Sequence, residues 1–159
     1  MIPDIVHEAT YPYPPELVWR AIAAPDALEA WLMRNDLREP GVGGRFRFVD
    51  RPRPFWDGVC ECEIAEADAP RRFALRWGVG GKAAPSDVSW TLEPAPGGGT
   101  HVTFRHAGLT GAMGWIMKKG MDRGWRRMME ASIPFVLARL AAGRLPTRDE
   151  VAAELRRAR

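Results

Sequence analysis

The chain has 159 residues, of which 46% are hydrophobic and 27% are charged, and its formal net charge is +3. A domain of this length buries roughly 70% of the surface that its unfolded chain exposes, so one hydrophobic core suffices without disulfides. No apolar run approaches the ~18 residues that a membrane span needs, and residues 1–10 lack the basic and apolar regions of a secretory signal. We therefore expect one soluble, cytoplasmic domain with no membrane partner.

The charged residues and the cysteines exclude further classes of function. Arginines are spread along the chain and interleaved with glutamates, which does not favour nucleic-acid binding. Cys60 and Cys62 would lie side by side on one face of a strand, which is a poor geometry for a disulfide. Their C-x-C spacing also lacks the two-residue gap typical of zinc sites, even with His106 as a third ligand. We predict no metal and no cofactor.

The first third of the chain predicts one strand followed by two short helices. Residues 5–13 are rich in β-formers and end at several prolines. Residues 16–23 have apolar side chains at helical spacing, and a second short helix begins at Pro25 and extends through Trp31. Glycines at 41, 43 and 44 then interrupt the chain.

The middle of the chain predicts an antiparallel sheet. Five segments alternate with a period of two, over residues 45–49, 58–66, 72–77, 88–93 and 101–106, and a weak additional strand is predicted at 35–38. Short links join them, with turn signals at 68–70, at Gly80-Gly81 and at 96–99, so neighbouring strands should be antiparallel.

Each of these strands separates its side chains into an apolar and a polar row. We expect the apolar rows to face the core: Phe46, Phe48, Cys60, Cys62, Ile64, Phe73, Leu75, Trp77, Val88, Trp90, Leu92, Val102 and Phe104. The polar rows alternate in charge from strand to strand, which favours a solvated face with cross-strand ion pairs.

From Met121 the apolar period changes to 3.6, which predicts a long amphipathic helix that covers the sheet. Pro134 should bend this helix near residues 130–133, because proline lacks a backbone N–H and clashes with the preceding turn. Gly143 ends the helix. We place a domain at 1–143 and a basic helical tail at 144–159, which begins with a Thr147 and Glu150 capping box.

Five sequence blocks, taken together, resemble a known family. They are PPELVWRAI at 14–22, PDALEAW at 25–31, GVGGRFRF at 41–48, GGGTHVTFRHAGL at 97–109 and GW at 124–125. The chain resembles the helix-grip fold of the START-like (SRPBCC) superfamily and, within it, the family of activator of heat shock protein 90 ATPase homologues. Ser132 and Pro134 depart from the pattern, since similar helices are usually apolar and unbroken there.

The resemblance implies an α+β helix-grip fold, with a curved antiparallel sheet of six to seven strands wrapped around the long C-terminal helix. It also implies an apolar cavity between sheet and helix that holds a small hydrophobic or aromatic molecule. The expected lining residues are Trp31, Phe48, Trp77, Trp90, Phe104, His106, Met117, Met121, Trp125 and Met128. The alternative is that these large side chains simply fill the core.

His106 and residues 113–117 each leave two interpretations open. His106 would point inward at a strand end, either as a packed histidine or as a general base, with no obvious second catalytic group nearby. Residues 113–117 are apolar and flanked by glycines and lysines, and they form either a lid over the cavity or a helical turn on the sheet rim.

Three functions therefore stand as hypotheses. The first is a small-molecule binding protein without catalysis; the second is an enzyme of cyclase or dehydratase type that uses His106. The third, implied by the family alone, is a module that binds a heat shock protein 90 chaperone. A homodimer is a further expectation, from sheet edges and from the apolar stripe on the terminal helix.

Overall fold

Seven antiparallel strands form one curved sheet in the computed structural model, which describes residues 1–39, 41–54, 56–79 and 84–158. The strands are β1 (Ile5–Tyr11), β2 (Arg34–Asn35), β3 (Arg45–Val49), β4 (Val59–Asp68), β5 (Arg72–Trp77), β6 (Ser86–Pro94) and β7 (Thr100–Ala107). Their order across the sheet is β1-β7-β6-β5-β4-β3-β2, so the first strand pairs with the last. The α+β fold predicted from sequence is confirmed, whereas the turn predicted at Gly80-Gly81 lies outside the described residues.

The alternation along the strands sorts the side chains as expected. Phe48, Trp90 and Phe104 are fully buried on the concave face, and the other apolar rows are buried with them except Trp77, which is half-buried. The outer face carries cross-strand ion pairs such as Arg72 with Glu66, whose Nε and Oε2 atoms lie 2.7 Å apart. The sheet therefore has one dry face and one charged face.

The helices enclose the dry face. Helices α1 (Pro15–Ala23) and α2 (Pro25–Trp31) each begin with a proline, which suits the first helical turn because its missing N–H has no acceptor there. The long helix covers 31 residues: α3 (Gly111–Arg127), a π turn (Met128–Ser132) and α4 (Ile133–Ala141). It begins ten residues before the predicted start, because the glycines of its first turns hide the helical period.

The π turn is the helix irregularity expected near Pro134. The N–H of Ile133 donates to the carbonyl of Met128, five residues back, instead of four. Continuing that register would require an N–H at Pro134 for the carbonyl of Met129, and proline has none. Tyr11 supplies the missing donor, since its hydroxyl donates to that carbonyl at 2.6 Å. A tyrosine of β1 thus holds the helix in its irregular form.

The terminal helix α5 (Arg148–Arg157) packs against the rest of the chain. Its Val151 is buried, and Arg148 donates to the carbonyls of Glu29 and Leu32 at the end of α2. The hydroxyl of Thr147 accepts the N–H of Glu150, as the capping box predicts. The apolar side of α5 is therefore covered by the chain itself. None of the helices in the described ranges is long and apolar enough to cross a membrane.

Candidate functional site

An aromatic cluster fills the layer between the sheet and the long helix. Trp90 lies at its centre, with ring centroids 5.3 Å from Phe104, 5.9 Å from Trp125 and 6.0 Å from Trp31. Phe73 stacks on it at 5.9 Å. Such offset and edge-on arrangements are the favourable ones for aromatic rings. The cluster assembles residues from three strands, a short helix and the long helix.

Trp125 closes this cluster from the helix side. Its ring lies 4.4 Å from that of Phe104 and 5.6 Å from that of Trp77, centroid to centroid. The space beneath Trp125, where the sequence predicts a hollow, is thus occupied by side chains. Two depressions of about 330 Å³ each lie elsewhere, on the outer face of the sheet.

His106 is fully buried beside this cluster and bonds through both ring nitrogens. Trp125 Nε1, which can only donate, lies 3.2 Å from His106 Nδ1. Nδ1 is therefore the acceptor, the proton resides on Nε2, and Nε2 donates to Ser86 Oγ at 2.8 Å. Burial lowers the pKa of His106 from 6.5 to about 4, against a small opposing effect of the Asp4 carboxylate. The imidazole is neutral at physiological pH.

This arrangement does not prepare His106 for general-base catalysis. A serine nucleophile needs an imidazole nitrogen that accepts its proton, but Nε2 of His106 already carries one. Nδ1 is occupied by an indole, whereas catalytic triads place a carboxylate there to stabilise the charged ring. Among the residues that the structure describes, no carboxylate is hydrogen-bonded to this imidazole. The geometry instead resembles a packed, fully bonded histidine.

Two buried polar groups in the interior have no hydrogen-bond partner within the described part of the chain. They are the indole N–H of Trp90 and the hydroxyl of Ser132, whose side chains are 0% and 1% exposed. Ser132 lies in the π turn, seven residues after Trp125 and therefore on the same side of the long helix. Unpaired buried polar groups are rare in folded proteins. Both groups could bond a molecule that entered this layer.

The remaining predicted lining residues differ in how deeply they are buried. Phe48 is fully buried, 5.5 Å from Trp77 by ring centroids, and the indole of Trp31 donates to the carbonyl of Ala21 at 2.7 Å. Met121 and Met128 are half-buried at the edge of the core. Met117 is exposed on the first turns of α3, so the structure does not bring it together with the cluster.

The cysteines face the core and do not form a disulfide. The sulfur atoms of Cys60 and Cys62 are 3.7 Å apart, and both side chains are buried. The hydrogen bond with the Cys60 thiol and then burial raise the pKa of Cys62 far above its usual range, so the thiol stays protonated. No group of three or more potential metal ligands occurs in the described ranges.

Sequence reasoning missed three members of this region: Ser86, Phe73 as a neighbour of Trp90, and Tyr11. Ser86 has the same parity as Val88 and Trp90, but it precedes the predicted start of that strand by two residues. Extending the alternation backward would have found it. Nothing in the sequence connects Tyr11 with the distant Met129 carbonyl.

A family model matches residues 12–137, and its description is Activator of Hsp90 ATPase homolog 1-like protein. The chain belongs to this family. The match covers every strand from β2 to β7 and the long helix as far as Leu137, so it includes the aromatic cluster and His106. A comparison with curated proteins finds no match.

Solved structures share the fold of this chain. Protein MLL2253 from Mesorhizobium loti is 29% identical over 90% of this chain and 100% of its own, with a TM-score of 0.73. Protein BH1534 from Bacillus halodurans is 27% identical over 81% and 98%, with a TM-score of 0.63. PFC0360w, an HSP90 activator from Plasmodium falciparum, is 17% identical over 85% and 96%, with a TM-score of 0.65.

Proposed function

We propose that the protein binds a small, largely apolar or aromatic molecule in the layer between the sheet and the long helix. The observation that carries this proposal is the pair of unpartnered buried polar groups, Trp90 Nε1–H and Ser132 Oγ, in an otherwise apolar interior. A buried polar group without a partner costs roughly 1–3 kcal/mol. A ligand that accepts a hydrogen bond from the indole would remove that cost and gain specificity.

The chemistry of the layer defines the ligand class. Trp90, Phe104 and Trp125 present ring faces and edges, and their only polar groups are indole N–H donors. A flat apolar molecule can stack against such rings, and the unused indole N–H requires an acceptor on the ligand. Aryl ketones, quinones and similar molecules with one or two acceptor oxygens meet both requirements.

We place the entry route along α3, because this helix buries few of its side chains against the rest of the domain. Among its residues only Trp125 is buried. Ahead of Trp125, the contacts of the helix include Met121 at the edge of the core, Ile2 beside Gly114, and an ion pair between Asp122 and His7 at 2.7 Å. Segments with few buried contacts open locally at low cost. Displacing α3 would withdraw the Trp125 ring and create the space that the ligand occupies.

A matched pair of ligands tests the proposal: 2-acetylnaphthalene, which has a ketone acceptor, and 2-ethylnaphthalene, which has none. Binding is measured by quenching of tryptophan fluorescence. Since a neutral hydrogen bond contributes about 0.5–1.5 kcal/mol, the ketone should bind about two- to tenfold more tightly. Trp90→Phe keeps an aromatic ring but removes the indole N–H, so it should abolish the preference for the ketone.

Trp115→Phe is the matched control, because Trp115 is exposed and remote from the core. It should keep the preference of the unmodified protein. Ser132→Ala provides a second interior variant if Trp90→Phe folds poorly. Absence of quenching by either naphthalene would refute the binding proposal, and an unchanged preference in Trp90→Phe would refute the assignment of the donor.

The catalytic and chaperone hypotheses stay predictions with their own tests. An enzyme that uses His106 as a base would lose turnover in His106→Ala while its ligand affinity changes by less than about tenfold, or about 1.4 kcal/mol. A module for a heat shock protein 90 chaperone would be retained by that chaperone in a pull-down. The hydrogen bonds of His106 do not favour the catalytic hypothesis.

A further inference from the structure

The first ten residues of α3, which we call the α3 tip (residues 111–120), project from the domain. Eight of the ten are exposed, including Trp115 at 56% and Ile116 at 72%. Met113 and Met117 are exposed on the same two turns. A monomeric protein seldom leaves four large apolar side chains exposed together, and such patches mark sites of interaction.

The tip is basic as well as apolar. Lys118 and Lys119 directly follow the apolar turns, and residues 107–121 contain no aspartate or glutamate. Neither lysine forms an ion pair with any residue that the structure describes. The nearest acid along the helix, Asp122, is already paired with His7. The occupant of this surface must therefore supply both apolar contact and negative charge.

The distribution of the apolar side chains around the helix favours lipid over a protein groove as the binding partner. At 100° per residue, the four side chains project over an arc of about 200° around the helix axis, with Trp115 and Met117 at its two ends. The exposed apolar surface thus covers slightly more than half of the tip's circumference. A groove on a protein contacts one face of a helix, whereas lipid chains adapt to a convex apolar surface that is wider than one face.

We propose that the α3 tip docks onto the surface of a membrane rich in anionic lipids. Ile116 and the two methionines enter the boundary between headgroups and acyl chains, where Trp115 is suited to lie because its ring is apolar and its N–H is polar. Lys118 and Lys119 bind the lipid phosphates and carboxylates. This contact is peripheral and needs no spanning helix, so the proposal departs from the sequence prediction of no membrane partner, which rested on the absence of a span.

Sedimentation with lipid vesicles tests the proposal on the full chain. Vesicles of phosphatidylcholine with about 30% phosphatidylserine should retain the protein, and vesicles of phosphatidylcholine alone should retain much less. Lys118→Glu with Lys119→Glu should weaken binding at least about thirtyfold, given the usual contribution of each basic residue near an anionic surface. Trp115→Ser with Ile116→Ser should weaken it comparably while leaving the thermal transition unchanged, since both side chains are exposed.

Two control variants separate the tip from general effects. Arg38→Glu with Arg51→Glu makes the same change in net charge at exposed positions outside the tip, and Val42→Ser with Val49→Ser removes exposed apolar side chains elsewhere. Both should bind like the unmodified protein. The proposal is overturned if the arginine variant loses as much affinity as the lysine variant, if the serine variant of the tip binds normally, or if the vesicles retain nothing, as an acidic protein partner would predict.

Discussion

Acid should destabilise the fold through His106. Burial lowers the pKa of its imidazole from 6.5 to about 4, so between these pH values the unfolded chain binds a proton that the folded chain does not. Stability therefore falls as the pH falls through this window. From pH 7 to pH 5 the linkage relation gives a loss of about 2 kcal/mol, and the full loss approaches about 3 kcal/mol.

Urea denaturation at pH 7 and pH 5 measures this contribution. The unmodified protein is compared with His106→Gln, which has no titrating group at this position. Other acids contribute equally to both proteins, so the difference between their pH dependences isolates the imidazole. We expect the unmodified protein to lose about 2 kcal/mol more than the variant over that interval. His101→Gln, on the outer face, serves as the control and should behave like the unmodified protein. An identical pH dependence in His106→Gln would show that the reasoning is wrong.

Four further substitutions test the packing and capping of the helices. Gly120→Ala and Gly124→Ala should each raise the free energy of unfolding by roughly 0.5–1 kcal/mol in denaturant melts, because a Cβ would meet open space at both positions and alanine favours a helix. Tyr11→Phe should lower it by roughly 1–3 kcal/mol, since the buried carbonyl of Met129 would lose its donor; an unchanged midpoint would refute that role of the hydroxyl. Thr147→Ala should cost roughly 0.5–2 kcal/mol of local stability at α5, seen as faster amide exchange there and not in the sheet.

Strand alternation was enough to predict most of the fold. Two strands, over residues 45–49 and 72–77, have the predicted bounds, and the others differ by one to three residues. Alternation succeeds here because one face of the sheet is dry, so a shift by one residue would bury a charged row. The same reasoning placed His106 inside, and the structure confirms that position.

The contents of the interior could not be predicted in the same way. Alternation specifies which side chains point inward, but whether they leave a hollow depends on rotamers and on the exact height of the helix above the sheet. Trp125 rests on Phe104 at 4.4 Å and so occupies the expected space. Pro134 indicated an irregular helix, but the choice of a π turn depends on Tyr11, which is far away in sequence.

The pairing of β1 with β7 also affects how the chain can acquire its structure. Residues that meet across this pair, such as Ile5 and His106, are separated by most of the domain. The edge of β1 has no partner until nearly 100 residues of chain have left the ribosome, and contacts of such long range slow folding. We therefore expect a nascent chain truncated before β7 to remain protease-sensitive, and the central β6, β5 and β4 hairpins to form before the sheet is completed at its outer strand.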